Sequence, residues 1–185
     1  MRHVRFAVMA EAFLRGTVSA WPALQSVEGE GIFLNATLPA VDGTKVVPRW
    51  GFGPRLIYVV GGETAISSVE LYDPQAASWT QRAGMAGPRS AHGCVALHGK
   101  LYAVGGFGAD GRRLDTAEVY DPQTDGWQPL AKMSTARWAF GLAAVGGKIY
   151  AIGGLVDDVS SVMESVEAYD PQLGTWAVVA SMSQK

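Results

Sequence analysis

Two short stretches of the chain carry residue types that could bind a metal or a nucleotide. His92 and His98 flank an apolar run that contains Cys94, the one cysteine of the sequence, and imidazole and thiolate side chains are common zinc ligands. His98, however, falls in a predicted hairpin turn, and no carboxylate or further thiol stands nearby in the sequence. We therefore expect core or turn roles for these three residues and no metal site.

The stretch GFGADG, at 106–111, matches the glycine pattern of dinucleotide-binding loops. That chemistry requires a helix whose N-terminus points at the pyrophosphate. The residues that follow, RRLDTAEVYDP, have instead the pattern of a strand that ends in a turn. Because spacing assigns no Ser-His-Asp arrangement either, the sequence predicts no bound cofactor and no catalytic residues.

The remaining candidates are charged and aromatic side chains in loops, whose role depends on the elements that carry them. Composition favours an all-β body, since 48 % of the residues are apolar and 23 of the 185 are glycine. The net charge of −2, with Lys and Arg scattered, offers no basic surface for nucleic acid. One cysteine allows no intramolecular disulfide, which suits a cytoplasmic location, and no run approaches the roughly 18 apolar residues of a membrane helix.

Two sequence patterns recur three times with a period close to 50 residues. An apolar run ends at a glycine pair in LIYVVGG, KLYAVGG and KIYAIGG. A second run leads into an Asp-Pro turn and a tryptophan in LYDPQAASW, VYDPQTDGW and AYDPQLGTW. Since β-branched and aromatic residues favour strands, and glycine and Asp-Pro end them, each pattern predicts strands separated by tight turns.

In the second and third repeats a further strand is predicted before the glycine-ended strand, in HGCVALHG and FGLAAVGG. Each unit is therefore predicted to be a four-stranded antiparallel meander, and the first unit is predicted to lack its inner strand. Because one such sheet cannot bury both of its apolar faces alone, neighbouring sheets must stack. The recurring Tyr and Trp are predicted to pack one sheet against the next.

Gly-Gly, Tyr-Asp-Pro and Trp at this spacing resemble the kelch repeats of β-propeller proteins. The resemblance implies an all-β fold, a partial kelch β-propeller of about three four-stranded blades whose ring is not closed, since propellers have four to eight blades. The N-terminal stretch HVRFAVMAEAFLRGTV resembles the helical end of a BACK domain, which suggests a fragment of a BTB-BACK-kelch protein. The predicted segments are a helical segment at 1–40, a linker at 41–54, and blades at 55–85, 86–133 and 134–182.

This resemblance implies a non-catalytic protein-interaction module, the substrate-recognition part of a cullin-RING ubiquitin ligase adaptor of the kelch-like type. A cullin would bind only through modules that this sequence does not contain. The alternatives are a kelch protein that binds actin or the cytoskeleton, and a propeller enzyme such as a copper oxidase, against which the scarcity of histidines counts. Some family members read acidic peptides through arginines at the positions where this chain has Ala91 and Ala139, so that specificity is not expected here.

The loops between the second and third strands differ among the units, whereas the Asp-Pro turns at the opposite edge barely vary. Such a contrast is typical of recognition loops on a rigid scaffold. For Arg89 and Arg137 the alternative is a structural role in buried hydrogen bonds to strand glutamates, and for Arg112 and Arg113 it is a solvated loop. The predicted protein-binding residues, in these loops and at the blade junctions, are Arg89, Ser90, Arg112, Arg113, Asp115, Arg137, Trp138, Asp157 and Asp158.

Overall fold

The computed structural model describes residues 37–39, 55–62, 67–156 and 162–184. Within these residues, twelve strands form three four-stranded antiparallel sheets, which we call the first, second and third units. The first unit consists of β1 (Thr37–Pro39), β2 (Arg55–Val60), β3 (Val69–Asp73) and β4 (Ser78–Arg82). The second consists of β5 (Gly93–Leu97), β6 (Lys100–Val104), β7 (Ala117–Asp121) and β8 (Gly126–Pro129). The third consists of β9 (Gly141–Val145), β10 (Lys148–Ile152), β11 (Val166–Asp170) and β12 (Thr175–Val179).

Each sheet is a meander in which strands pair in chain order, as the sequence predicts. In the second unit the turn between the first two strands places His98 and Gly99 at φ 51° and 76°, and in the third unit Gly146 and Gly147 take φ 59° and 77°. Two consecutive residues with positive φ give the twist that a two-residue hairpin requires. The turn role predicted for His98 is therefore confirmed.

The inner position of the first sheet is occupied by β1, which pairs antiparallel with β2 and places Thr37 opposite Ile57. The prediction that this unit lacks an inner strand is therefore wrong, and at 37–39 the predicted helical segment is replaced by a strand. The strand is three residues long and ends at Pro39, so neither an apolar run nor a hairpin turn signals it. Residues 1–36 and 40–54, with the rest of the predicted helix and the linker, lie outside the described part of the chain.

The Asp-Pro turns close the two outer strands of every unit in the same way. Asp73, Asp121 and Asp170 each accept, at Oδ1, the backbone N–H of the residue two positions on, over 2.8 to 2.9 Å. The position before the returning strand is left-handed in all three turns, with φ 49° at Ala77, 48° at Asp125 and 68° at Gly174. These are Asx turns, in which the aspartate carboxylate accepts a backbone N–H of the turn that no strand partner bonds.

The recurring tyrosine and tryptophan pack against each other across the two outer strands and reach the preceding unit. Tyr120 and Trp127 are opposite each other, with ring centroids 5.2 Å apart. Trp127 donates its indole N–H to the carbonyl oxygen of Ala83, at the end of the first unit, over 2.9 Å. The carboxylate of Asp125 accepts both the Tyr120 hydroxyl, at 2.6 Å, and the N–H of Ala83, at 3.1 Å.

The core lies between successive sheets. One cluster joins the first and second units around Tyr58, Leu101 and Tyr120, and two clusters join the second and third units. Trp176 repeats the tryptophan contact by donating to the carbonyl oxygen of Ala131 over 2.9 Å. The sheets therefore stack in succession, and the predicted packing role of the aromatic residues is confirmed for the second and third units.

Candidate functional site

The loop between the second and third strands of a unit lies beside the connection that enters that unit. In the second unit Ser90 and Phe107 exchange two backbone hydrogen bonds, of 2.9 and 2.8 Å, and Phe107 also forms a bridge with Arg113. In the third unit Trp138 and Leu155 are paired in the same way. We call this edge the loop face, made of residues 84–92, 106–116, 132–140, 154–156 and 162–165; the Asp-Pro turns lie at the opposite edge.

Arg89 of the loop face is buried, with 2 % of its surface exposed. Its guanidinium donates to the Glu118 carboxylate at 2.8 Å and to the carbonyl oxygens of Gly105 and Thr116 at 3.1 and 3.0 Å. The second oxygen of Glu118 accepts the N–H of Ala86 at 2.8 Å. The ion pair therefore fastens the incoming connection to the sheet that follows it.

Arg137 repeats this arrangement in the third unit and is fully buried. It binds the Glu167 carboxylate at 2.8 Å and the carbonyl oxygens of Gly153 and Ser165 at 2.9 and 3.2 Å. Glu167 in turn accepts the N–H of Ser134 at 2.7 Å. Arg137 and its counterpart Arg89 thus form the buried hydrogen bonds to strand glutamates that the structural alternative predicts, and they present almost no surface.

The same connections are held by the unit that precedes them. Met85 and Met133 donate their N–H groups to the carbonyl oxygens of Ser67 and Asp115, both at 2.8 Å. The carbonyl oxygen of Arg137 accepts the N–H of Gly106 at 2.9 Å. Each junction is thus bonded to the sheets on both of its sides, which fixes the position of the loops above it.

Two charged side chains on the loop face of the second unit, those of Arg112 and Lys132, are well exposed. Arg112 has 85 % of its side chain exposed and lies 3.5 Å from the Asp110 carboxylate. Asp115 forms an ion pair with Lys132 at 3.2 Å, and Arg113 is half-buried beside Phe107. Such solvent-exposed pairs contribute little to stability, so Arg112 and Lys132 are available to another molecule.

An aromatic contact crosses the junction between the second and third units. The rings of Phe107 and Trp138 lie 4.8 Å apart between centroids, at 46°. The Trp138 indole nitrogen is buried and has no hydrogen-bond partner among the described residues. Sequence analysis identified Trp138 but missed Phe107, because Phe107 is inside the glycine-rich stretch and only the fold brings it to the junction. Asp157 and Asp158 lie outside the described residues.

An open cleft of about 530 Å³ lies on the loop face of the second unit. Its walls come from the connection at 86–89, the loop at 108–110 and the end of the outer strand, and most of its lining is apolar. Leu114, Leu130 and Lys132 line it, and none of them was predicted. No sequence signal distinguishes these residues, because only the return of the outer strand beside the loop creates the cleft.

His92 and Cys94 are core residues, as expected. Burial, assisted by the nearby Arg89 guanidinium, lowers the pKa of His92 to about 3, and burial raises the pKa of the Cys94 thiol to about 12. Within the described ranges no group of three or more His, Cys, Asp or Glu side chains could hold a metal ion. The GFGADG stretch continues through a turn into β7 and not into a helix.

The fold and the spacing of its repeats define a class of protein, and comparison with known families names it. The Kelch motif matches residues 52–86, 88–134 and 137–183. The chain belongs to the kelch-repeat family, and the predicted family and partial β-propeller fold are confirmed. The solved structure of YjhT shares the fold, with a TM-score of 0.61 at 19 % identity over 80 % of this chain and 51 % of that one.

Two curated relatives match part of the chain. Kelch-like protein 3 of Danio rerio is 35 % identical over 120 residues, which are 58 % of this chain and 20 % of that protein. Kelch-like ECH-associated protein 1B of Danio rerio is 40 % identical over 89 residues, 46 % of this chain and 15 % of that protein. The chain thus spans about a fifth or less of these relatives. In the part that the structure describes, no helix has the length and apolar character to cross a membrane.

Proposed function

We propose that this chain is a non-catalytic protein-interaction module whose loop face binds a protein partner. The observation that carries the proposal is the contrast within that face between a fixed base and exposed loops. The base is held by two buried arginine–glutamate pairs of 2.8 Å, while the loop that begins at Phe107 presents Arg112 with most of its side chain in solvent. A rigid base reduces the conformational entropy that the loops would lose on binding.

The partner would contact both polar and apolar groups of the loop face. Arg112 and Lys132 offer charge, the cleft offers an apolar surface beside Leu114 and Leu130, and the half-buried Trp138 offers part of its aromatic ring. Tryptophan and arginine are the residue types that most often dominate the binding energy of protein interfaces. Ser90 and Asp115 complete the surface, and Asp157 and Asp158 extend it as a prediction.

The finer proposal is substrate recognition for a cullin-RING ubiquitin ligase, as part of a cytoplasmic adaptor of the kelch-like type. What supports it is the match to relatives named Kelch-like protein 3 and Kelch-like ECH-associated protein 1B. In this proposal the residues before the first strand, 1–36, are the end of a BACK domain, and the cullin is bound by other parts of a longer protein. The partner is then a protein destined for ubiquitylation.

The test is capture of proteins from cytosol by the full chain and by two variants. Arg112→Glu reverses an exposed charge on the loop face, and Gln123→Glu, at the opposite edge in an Asp-Pro turn, is the matched control. We expect a partner that the wild type and Gln123→Glu retain and that Arg112→Glu loses by about tenfold or more. Equal capture by all three would contradict a loop-face site.

The captured partner then separates the finer alternatives. Accumulation of that partner when a cullin is inhibited supports the ligase adaptor, whereas co-sedimentation of the purified chain with actin filaments would replace it with the cytoskeletal function. Turnover of a small molecule by the purified chain after copper is added would contradict the assignment as a non-enzyme.

A further inference from the structure

The glycine-rich stretch at 106–111 contains one large apolar side chain, that of Phe107. Glycine loses more backbone freedom on ordering than any other residue and offers no side chain for packing, so a loop of this composition needs anchors. A Cβ at Gly106 would lie 2.7 Å from the Cβ of His92, which shows how closely the loop passes the incoming connection. Phe107 is therefore the residue through which packing can fix the beginning of this loop.

The loop folds back on itself as a short hairpin. Gly108 donates its N–H to the carbonyl oxygen of Arg112 at 2.9 Å. Leu114 donates in the same way to the carbonyl oxygen of Gly106 at 2.8 Å, and at the tip Gly111 donates to that of Gly108 at 3.0 Å. Because a two-stranded hairpin alone is only marginally stable in water, the conformation of this one depends on what it is attached to.

Two attachments of the hairpin are made by the backbone. On one side Phe107 exchanges two hydrogen bonds with Ser90 of the incoming connection. On the other side the backbone of Arg137 accepts the N–H of Gly106 at 2.9 Å and donates to the carbonyl oxygen of Leu114 at 3.3 Å. These bonds hold the base of the hairpin, below its tip.

A ring contact ties the hairpin to the third unit. The rings of Phe107 and Trp138 lie 4.8 Å apart between centroids, and the backbone of Trp138 exchanges hydrogen bonds of 3.3 and 3.0 Å with Leu155. Arg137, next to Trp138 in the chain, is buried in its ion pair with Glu167. One side of the ring contact therefore belongs to a fixed junction and the other side to the hairpin.

The third unit carries an aliphatic residue at the position of Phe107. Leu155 follows the glycine pair there and forms the equivalent bridges, with Trp138 and Val162. An aliphatic side chain is therefore sufficient for the backbone pairing of the loop. What the phenyl ring of Phe107 adds is the contact with Trp138, and aromatic pairs stabilise a structure beyond the burial of their area.

We propose that Phe107 is a positioning residue for protein binding by the loop face. Its contact with Trp138 holds the hairpin in one conformation, so that Arg112 and the exposed part of Trp138 keep a fixed separation and one partner engages both. A loop that is ordered before binding loses less conformational entropy when the complex forms. This inference rests on the proposed function, because it concerns how the loop face is presented to the partner.

Amide hydrogen exchange of the full chain, measured by NMR without a partner, tests the ordering of the hairpin. In Phe107→Ala we expect the Gly108 and Gly111 amides to exchange about tenfold faster, while the amides of β7 keep their rates. Phe107→Tyr keeps the ring and should keep the wild-type rates. Unchanged rates at Gly108 and Gly111 in Phe107→Ala would overturn the proposal, and so would an equal acceleration in β7, which would show a general loss of stability.

Two further variants use the difference between the units. Phe107→Leu installs the residue that the third unit has at this position, so the fold should be retained while the ring contact is lost, and the two glycine amides should again exchange faster. Leu155→Ala, at the same place in the third unit, is the matched control and should leave the exchange of Gly108 and Gly111 unchanged. Equal effects of Leu155→Ala and Phe107→Leu would contradict a specific role for the ring.

Capture of proteins from cytosol connects the ordering to binding. Phe107→Leu should retain about tenfold less of the protein that the wild type captures, and Phe107→Tyr should retain it. With that captured protein purified, the loss should fall mainly on the association rate, because the hairpin must order during binding; a residue that only stabilised the fold would not change this rate.

The Arg112→Glu variant separates the two proposals. Loss of capture by Arg112→Glu without loss by Phe107→Leu would overturn the positioning role alone. Equal capture by the wild type and Arg112→Glu would overturn the loop-face site itself, while the exchange rates would still show whether Phe107 orders the hairpin.

Discussion

The junctions and the loops of this chain place the same residue type in opposite environments. Arg89 and Arg137 are buried in ion pairs that fasten one sheet to the next, whereas Arg112 extends from a loop with 85 % of its side chain exposed. A recurring arginine at a fixed distance from a strand is therefore a structural residue here. An arginine that occurs once, in a loop of variable length, is the better candidate for contact with a partner.

Removal of a junction arginine should cause the largest loss of stability. Arg137→Ala leaves the Glu167 carboxylate buried without its counter-charge, and truncating one member of a buried pair costs about 3–5 kcal/mol of unfolding free energy. Arg112→Ala, the exposed counterpart, should change the unfolding free energy by less than about 0.5 kcal/mol. Urea unfolding of both variants measures the difference, and similar losses would remove the distinction between the two regions.

A second test uses the buried imidazole at the junction. The folded pKa of His92 is lowered to about 3, below its unfolded value near 6.5, so the unfolded state binds a proton that the folded state excludes. The stabilisation is fully present above pH 6.5 and is lost as the pH falls from there towards 3, at about 1.4 kcal/mol per pH unit.

The third unit suggests a control for this pH dependence, because Phe140 occupies there the position that His92 occupies in the second unit. His92→Phe should remove the contribution of this residue to the slope between pH 6.5 and 4.5 without loss of stability at neutral pH. Denaturant unfolding across that range checks it. An unchanged slope in the variant would mean that other groups set the acid sensitivity.

The smallest expected loss of stability comes from replacing glycines, and two glycines with similar φ angles can be compared. Gly105, in the junction, has φ 63° and a Cβ there would lie 2.6 Å from the carbonyl oxygen of Arg137, whereas Gly111, in the loop, has φ 70° and open space around it. Gly111→Ala should cost only the backbone strain of about 1 kcal/mol. Gly105→Ala should cost that and about 1–3 kcal/mol more for overpacking. Thermal unfolding that ranks the two equally would show that the junction is not closely packed.

The repeat predicts the parts of this fold that depend on local chemistry. Asp-Pro turns, glycine-ended strands and the pairing of Tyr120 with Trp127 follow from residue type and spacing. For Arg89 the sequence predicts a buried bond to a strand glutamate only as the alternative to a protein-binding role, and the structure shows that bond. The first strand, at 37–39, was not predictable in this way, because it depends on pairing with β2, from which fifteen residues separate it in the chain.

The candidate site was less predictable than the fold. Arg112 and Trp138 could be identified as unusual within the repeat, but the cleft beside Leu114 and Leu130 and the contact of Phe107 with Trp138 arise from segments of different strands. Such contacts depend on how far each connection turns across the sheet edge, which no local pattern specifies. The sequence therefore predicts which edge of the sheets carries the candidate site, and the structure shows which residues of that edge lie together.

One feature of the outer turns makes the two junctions unequal in mechanical strength. The carboxylate of Asp125 bonds the backbone of Ala83 across the first junction, whereas the corresponding residue at the second junction is Gly174, which has no side chain to form such a latch. If the two ends of the chain are pulled apart, the third sheet should peel from the stack first, at lower force, while the first two remain together.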